Sequence, residues 1–241
     1  MALAVEKAAH AGAGIISISL GACQANALTA PVQASFADVF HHNVSVFIAG
    51  GDNGDHPGTT HDCGSSIGIE YPGSDPYVVS VGGTALTLNA DNTIEQESAW
   101  GSSGGGTDAR LLRRPWQTAP TMPAGTHRWD PDVSFLGTHY SFRAGGTWHS
   151  GEGTSLGAPG WAAAWALIRE QAMNAGKVVK PAGKLLYRAG NSSAYAADFH
   201  DITTGSNGTY HASVGWDPVT GWGTPDVANL AATVLAWSPQ A

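Results

Sequence analysis

The sequence predicts an α/β fold built on a parallel β-sheet, because helical and strand patterns alternate along its N-terminal part. Residues 2–11 suit a helix, and the apolar run at 15–20 is typical of a buried strand. Residues 30–42 then place apolar side chains at helical spacing, and 44–49 follows as a second strand. Helix-then-strand units of this kind predict a sheet whose strands run parallel.

The rest of the chain contains fewer regular patterns. Residues 101–131 are rich in Gly, Ser and Pro, so few regular elements are expected there, and turns dominate 201–225. No internal repeat or linker interrupts the sequence, and we predict one domain over residues 1–241. The remaining predicted elements are a strand at 77–81 and helices at 155–175, 181–189 and 227–237.

Composition and charge exclude several classes of protein. Charged residues make up 12% of the chain, about half of the ~25% that is usual in globular domains. The formal net charge of −8 disfavours nucleic acid and anionic lipid as partners, because both require a basic surface. No apolar run approaches the ~20 residues of a membrane span. Residues 1–12 lack the basic and apolar regions of a signal peptide.

The two cysteines, Cys23 and Cys63, leave two interpretations open. They form one disulfide, or they lie in the protein as buried thiols. His56 and His61 stand near Cys63, but their spacing fits no common zinc site, so an ordinary loop is the better interpretation of this stretch.

The first candidate for chemistry is the GTSLGAP motif at residues 153–159, which leads into the longest predicted helix. It places Ser155 at a helix N-terminus, where free N–H groups and the helix dipole stabilise a developing oxyanion. The simpler alternative is that Ser155 only caps the helix. A nucleotide-binding turn is rejected, since the glycine spacing is not G-x-G-x-x-G and no P-loop lysine follows.

The second candidate is the GGDNG motif at residues 50–54, directly after a predicted strand. Functional residues gather at the carboxyl ends of parallel strands, and this position favours a functional role for Asp52. Asp-Asn-Gly is also a common turn, which is the better interpretation of the motif when it stands alone.

The third candidate is the C-terminal region, where Asp201 and Asp217 flank a Gly-rich loop. Ca²⁺ prefers six to eight oxygen ligands from carboxylates, backbone carbonyls and water, and such a loop can supply them. A plain cluster of turns is the alternative.

These three motifs occur in the order and context of the sedolisin, or serine-carboxyl, peptidases, and the chain resembles that family over nearly its whole length. Further segments that resemble the family are YP at 71–72, PYV at 76–78, VGGT at 81–84, SGGG at 103–106 and PDVS at 131–134. The resemblance implies a subtilisin-like parallel sheet with helices on both faces. It also implies that Ser155 is the nucleophile and Asp52 the oxyanion-hole aspartate.

The resemblance extends to the binding residues. It implies one structural calcium ion held by the carboxylates of Asp201 and Asp217, and by the carbonyls of Ile202, Ser213 and Gly215. Ser213 stands where the family often has Gly. The resemblance also implies that an extended polypeptide substrate binds to Ser19, Leu20, Gly21, Ser103, Gly104 and Gly105. Sedolisins more often carry an aromatic residue at the position of Leu20. Members of the family are usually exported, so we expect an extracellular protein.

Subtilisins are the nearest alternative, but they place Asn at the position of Asp52 and use His as the base. An aspartate can donate to an oxyanion only when it is protonated, which favours work at acidic pH or a strongly raised pKa of this carboxyl.

The catalytic base of the sedolisins is missing from this sequence. That base is a Glu oriented by an Asp four residues later on one helix face, and none of the glutamates here is followed by Asp at that spacing. We expect the first strands and the base helix to lie outside the chain. The chain alone then has little activity, and it associates with the missing segment or with itself through an open sheet edge. The alternative is an inert, calcium-stabilised, peptide-binding domain.

Overall fold

The computed structural model describes residues 1–23, 29–55 and 68–240. Helices in these ranges are α1 (Ala2–His10), α2 (Thr29–His41), α3 (Thr154–Asn174), α4 (Ala182–Gly190), α5 (Tyr195–Asp198) and α6 (Val227–Trp237). Strands are β1 (Ile15–Ile18), β2 (Ala22–Cys23), β3 (Ser45–Ala49), β4 (Glu70–Tyr71), β5 (Val79–Leu88), β6 (Ile94–Ala99), β7 (Gly106–Leu112), β8 (His127–Asp130), β9 (Val133–Leu136), β10 (Tyr140–Ala144), β11 (Thr147–Gly151), β12 (Phe199–His200) and β13 (Thr224–Pro225).

The central sheet is parallel, as the helix-then-strand alternation predicts. Strands β1, β3, β5 and β9 lie side by side in that order, and all three pairings are parallel. The far half of β5 pairs with β6 in the antiparallel sense, which extends the sheet beyond the parallel core. The carboxyl ends of β1 and β3 therefore point to the same edge of the sheet.

Helices cover both faces of this sheet, and β3 shows why. Side chains alternate across a strand, so Phe47 packs on one face against Trp161 and Trp165 of α3. Val46 and Ile48 belong to a separate cluster on the other face, with residues of α1 and α2. The predicted parallel sheet with helices on both faces is thereby confirmed.

The structure corrects one expectation about the Gly-rich stretch at 101–131. Two strands, β7 and β8, pair there in the antiparallel sense, and a second hairpin, β10–β11, lies directly before α3. Strands β7 (GTDARLL) and β8 (HRWD) contain few apolar residues, so no clear apolar alternation marks them in the sequence. Their pairing becomes visible only in the folded chain.

Within the described ranges, no helix combines the length and the apolar character that crossing a bilayer requires. His56, His61 and Cys63 lie outside the described residues. The two interpretations of Cys23 and Cys63 therefore both stay open.

Candidate active site

A cleft of about 230 Å³ opens where the carboxyl ends of β1 and β3 meet the N-terminus of α3. Residues 19–21 follow β1, residues 50–53 follow β3, and Thr154 and Ser155 begin α3. All three segments line the cleft. The structure thus brings Ser155 and Asp52 together, although they are far apart in sequence.

Ser155 is exposed in the first turn of α3 and is not the residue that caps the helix. The cap position is Gly153, which has no side chain to accept a hydrogen bond. Its backbone, at φ 133° and ψ 146°, lies in a region that only glycine adopts readily. The alternative that Ser155 serves merely as an N-cap does not fit this geometry.

The carboxylate of Asp52 takes over the capping role from another part of the chain. The backbone N–H of Thr154 donates to Asp52 Oδ1 at 2.7 Å, and the Thr154 hydroxyl donates to the same oxygen at 2.8 Å. One of the N–H groups that a helix start leaves without a partner is satisfied in this way. Asp52 is therefore fixed beside the nucleophile candidate.

A second link joins β1 to the same helix. The Ser19 hydroxyl donates to the backbone carbonyl of Ser155 at 2.8 Å. Ser19, Leu20 and Gly21 are all exposed on this side of the cleft, and 66% of the Leu20 surface is accessible. Their place beside Ser155 is compatible with the predicted contact to extended substrate.

Ser103, Gly104 and Gly105, which the resemblance also assigns to substrate binding, are buried. The N–H of Gly104 donates to the carbonyl of Gly51 at 2.8 Å, and a side chain on Gly104 would collide with the Gly50 carbonyl. In this structure the segment supports the turn that carries Asp52. A direct role in substrate binding stays a prediction.

Glu70 also lines the cleft, although none of the sequence motifs includes it. Strand β4 pairs with β2, and this pairing carries the Glu70 carboxyl to within contact of Gly21 and Gly51. Asn53 Nδ2 donates to Glu70 Oε1 at 3.3 Å. Burial raises the pKa of Glu70, Asn53 opposes the shift, and the charge of Asp52 adds to it. No local pattern marks this position, because only the β2–β4 pairing places it.

The two carboxylates predicted to bind calcium, Asp201 and Asp217, accept hydrogen bonds from one short segment of the chain. The N–H of Gly215 donates to Asp201 Oδ2 at 2.9 Å, and the N–H of Ser213 donates to Asp217 Oδ2 at 3.2 Å. Both carboxylates thus face the same segment, and Ile202 follows Asp201 directly. Carboxylate and backbone carbonyl oxygens are the ligands that Ca²⁺ prefers, so the predicted residues supply suitable donor types.

The charge of this loop also fits a cation. Asp217 is 1% exposed, and burial raises its pKa to about 6 against the opposing hydrogen bonds from Thr220, Val219 and Ser213. Neither Asp201 nor Asp217 forms an ion pair with a basic residue in the described part of the chain. A buried carboxylate without a positive partner is costly, and a bound cation would offset that cost. The two carboxylates are therefore compatible with a bound cation, and the calcium ion itself stays a prediction.

Comparison with known proteins agrees with this geometry. The subtilase family model matches residues 1–223. Sedolisin from Pseudomonas sp. (strain 101) is 31% identical over 92% of this chain, and kumamolisin from Bacillus sp. (strain MN-32) is 33% identical over 94%. Human tripeptidyl-peptidase 1 is 31% identical over 68%. The chain spans 41%, 43% and 33% of the lengths of these three relatives.

The structural comparison leads to the same family. A solved structure of Pseudomonas sedolisin, a serine-carboxyl proteinase in complex with pseudo-iodotyrostatin, superposes with a TM-score of 0.87 at 26% identity. The match covers 98% of this chain and 69% of that one. A psychrophilic protease, at 20% identity and a TM-score of 0.61, shares the fold. With its subtilisin-like fold, the chain belongs to the sedolisin family of serine peptidases.

Proposed function

We propose that this chain carries the nucleophile and the oxyanion donor of a serine peptidase that hydrolyses polypeptides. The observation that carries the proposal is the position of Asp52, whose carboxylate is held at the N-terminus of α3 beside Ser155. Both side chains line the same cleft, as a nucleophile and its oxyanion donor must.

In the proposed reaction, Ser155 Oγ attacks the carbonyl carbon of a peptide bond and its proton passes to a base. The carbonyl oxygen gains negative charge, and the protonated carboxyl of Asp52 donates a hydrogen bond to it. The first turn of α3 adds the favourable field of a helix N-terminus. Because an ionised carboxylate would repel the oxyanion, the proposal implies activity at acidic pH.

Neither Ser155 nor Asp52 supplies the catalytic base that the reaction needs. A Glu-x-x-x-Asp pair is absent from the sequence, so we assign the base to a carboxylate pair provided by another segment or a partner chain. The substrate strand would lie along residues 19–21, and Ca²⁺ would fix the loop of Asp201 and Asp217. The proposed setting is extracellular, in line with the sequence resemblance.

The experiment is hydrolysis of an unfolded protein at acidic pH, compared between the wild type and Ser155→Ala. We expect the substitution to abolish the activity, because the nucleophile is lost. Ser98→Ala, on strand β6 outside the cleft, is the matched control and should leave the rate unchanged. An unchanged rate in Ser155→Ala would overturn the assignment.

The absence of the Glu-x-x-x-Asp pair from the sequence favours a second candidate, a peptide-binding domain that does not cleave. Under that hypothesis the wild type and Ser155→Ala bind a fluorescent peptide with equal affinity, and neither releases a product. Slow release of product that depends on Ser155, and that increases when a polypeptide carrying the Glu-x-x-x-Asp pair is added, would show that the protein is an enzyme.

A further inference from the structure

We propose that Thr154 is a positioning residue that decides which oxygen of Asp52 carries the proton. Thr154 holds Oδ1 as an acceptor and leaves Oδ2 as the hydroxyl oxygen that donates to the oxyanion. This inference rests on the proposed function and concerns the orientation of its oxyanion donor.

The first step concerns the single proton of the Thr154 hydroxyl. The N–H of Gly51 donates to Thr154 Oγ1 at 3.1 Å, so that oxygen already accepts one hydrogen bond. Its own proton has two acceptors within reach, Asp52 Oδ1 at 2.8 Å and the Gly51 carbonyl at 3.3 Å. The shorter contact to the carboxylate is the stronger one, so the hydroxyl donates to Asp52.

The second step concerns the two oxygens of Asp52. Oδ1 receives the hydroxyl proton and also the backbone N–H of Thr154, at 2.7 Å. A protonated carboxyl has one carbonyl oxygen, which only accepts, and one hydroxyl oxygen, which donates. Two donors aimed at Oδ1 favour the form in which Oδ1 is the carbonyl oxygen. The acid proton of Asp52 therefore lies on Oδ2.

The third step is the space around Oδ2. Gly153 has no side chain, and a Cβ at this position would come within 3.0 Å of Oδ2. The glycine thus leaves room beside Oδ2, and the Asp52 side chain is exposed where it lines the cleft. An oxygen that is open and protonated is suited to meet a developing oxyanion.

The fourth step explains why threonine suits this position. Thr154 is fully buried, and its methyl group lies next to Gly83, where a Cβ would come within 3.5 Å of it. A β-branched side chain has few rotamers, and this packing keeps the hydroxyl turned toward Asp52. The orientation of Asp52 is thereby set before substrate arrives.

The test uses a peptide aldehyde and the corresponding peptide alcohol with Thr154→Val and Thr154→Ser. Both ligands occupy the same cleft, but only the aldehyde adds Ser155 Oγ to form a hemiacetal that needs the oxyanion donor. In Thr154→Val at acidic pH, we expect the preference for aldehyde over alcohol to fall about tenfold, the usual effect of losing one such hydrogen bond. Thr154→Ser keeps the hydroxyl and should keep the preference.

Affinities for alcohol and aldehyde that fall together in Thr154→Val would show a merely structural role and overturn the proposal. An unchanged preference in that variant would overturn it as well. Ser155→Ala should abolish the preference in every background. If the wild type shows no preference for the aldehyde, the proposed function fails, and the orientation of Asp52 is then decided by a second measurement.

That measurement is the infrared carbonyl band of protonated Asp52, identified as the band that Asp52→Asn removes. A carbonyl oxygen that accepts two hydrogen bonds absorbs at lower frequency than one that accepts a single bond. We expect a shift to higher frequency in Thr154→Val and none in Thr154→Ser. Thr154→Cys, with a weaker donor, gives an intermediate shift and serves if the valine variant does not fold. A band that stays in place in both the cysteine and the valine variants would overturn the proposal.

Discussion

The Ser19 hydroxyl donates to the backbone carbonyl of Ser155 across 2.8 Å. Pro159, inside α3, explains why that carbonyl is available. In an α-helix each carbonyl accepts from the N–H four residues later, and the residue four places after Ser155 is a proline, which has no N–H. The end of β1 thus supplies the hydrogen bond that the helix lacks, and it does so at the candidate nucleophile.

Ser19→Ala removes this bond, and we expect a loss of about 1 kcal/mol in the free energy of unfolding. In a Pro159→Ala background the helix N–H is restored, so the same substitution should cost almost nothing. A double-mutant cycle by urea unfolding measures this coupling. Ser17→Ala, on the same strand, is the control. Equal costs of Ser19→Ala in both backgrounds would contradict the explanation.

Gly153→Ala should damage the site more than the fold. The new Cβ would come within 3.0 Å of Asp52 Oδ2, and the backbone at φ 133° adds strain of about 1–3 kcal/mol. Gly125→Ala is a matched control, because Gly125 has a similar φ of 126° and nothing within 4 Å. Both variants should lose stability, but only Gly153→Ala should lose binding of the peptide aldehyde. Normal binding in Gly153→Ala would show that Oδ2 is not needed there.

Stability should fall as pH rises from about 4 to about 7. Burial raises the pKa of Asp130 to about 7 from its ordinary value of 3.8, against the opposing charge of Arg128, and it raises the pKa of Asp75 to about 7 as well. A folded state that binds more protons than the unfolded state loses stability with increasing pH, until both groups are ionised. Thermal melting at pH 4, 6 and 8 tests this expectation.

Asp130→Asn keeps the size of the neutral acid and cannot ionise, so it should flatten this pH dependence and raise the melting temperature at pH 8. Asp132→Asn is a contrasting variant. It breaks the buried ion pair with Arg128, whose Nη2 lies 2.7 Å from Asp132 Oδ2, and should destabilise the protein at every pH. An unaltered slope in Asp130→Asn would refute the assignment to this group.

Removal of calcium should lower the melting temperature. A ligand at 100 times its dissociation constant stabilises the folded state by about 2.7 kcal/mol, and a chelator would remove that contribution. Asp217→Asn and Asp201→Asn should melt lower than the wild type and no longer respond to the chelator. Asp91→Asn, in an exposed turn, should respond like the wild type. A wild type indifferent to chelator would count against the site.

The open edge of β1 should cause self-association of the chain alone. Strand β1 is at the end of the described sheet; Leu3 on α1 and Leu20 after β1 are 62% and 66% exposed. Unpaired strand edges and apolar surface favour contact with another chain. Sedimentation velocity should show oligomers at high concentration, which Leu3→Lys combined with Ser17→Lys reduces. Trp148→Lys, at an equally exposed residue of the β10–β11 hairpin, should have no such effect.

Much of the fold was predictable because it follows from local patterns. The apolar spacing of α2 and the uninterrupted apolar run of β3 each indicate their structure without a partner. The placement of Asp52 after β3 and of Ser155 before α3 also follows from the chain order. The β7–β8 pair was missed because its strands contain few apolar residues and show no clear apolar alternation, so only the antiparallel pairing identifies them.

The sequence by itself determined the element types, the family resemblance and the absence of a Glu-x-x-x-Asp pair, since each depends on residues close together in the chain. The tertiary structure decided which groups meet. The capture of Asp52 by Thr154, the approach of Glu70 to Gly21 and the bond from Ser19 to Ser155 all join segments remote in sequence. The parallel sheet causes the first and the third of these contacts, because it brings the carboxyl ends of β1 and β3 to one edge, where the N-terminus of α3 lies. The second contact follows from the antiparallel pairing of β2 with β4.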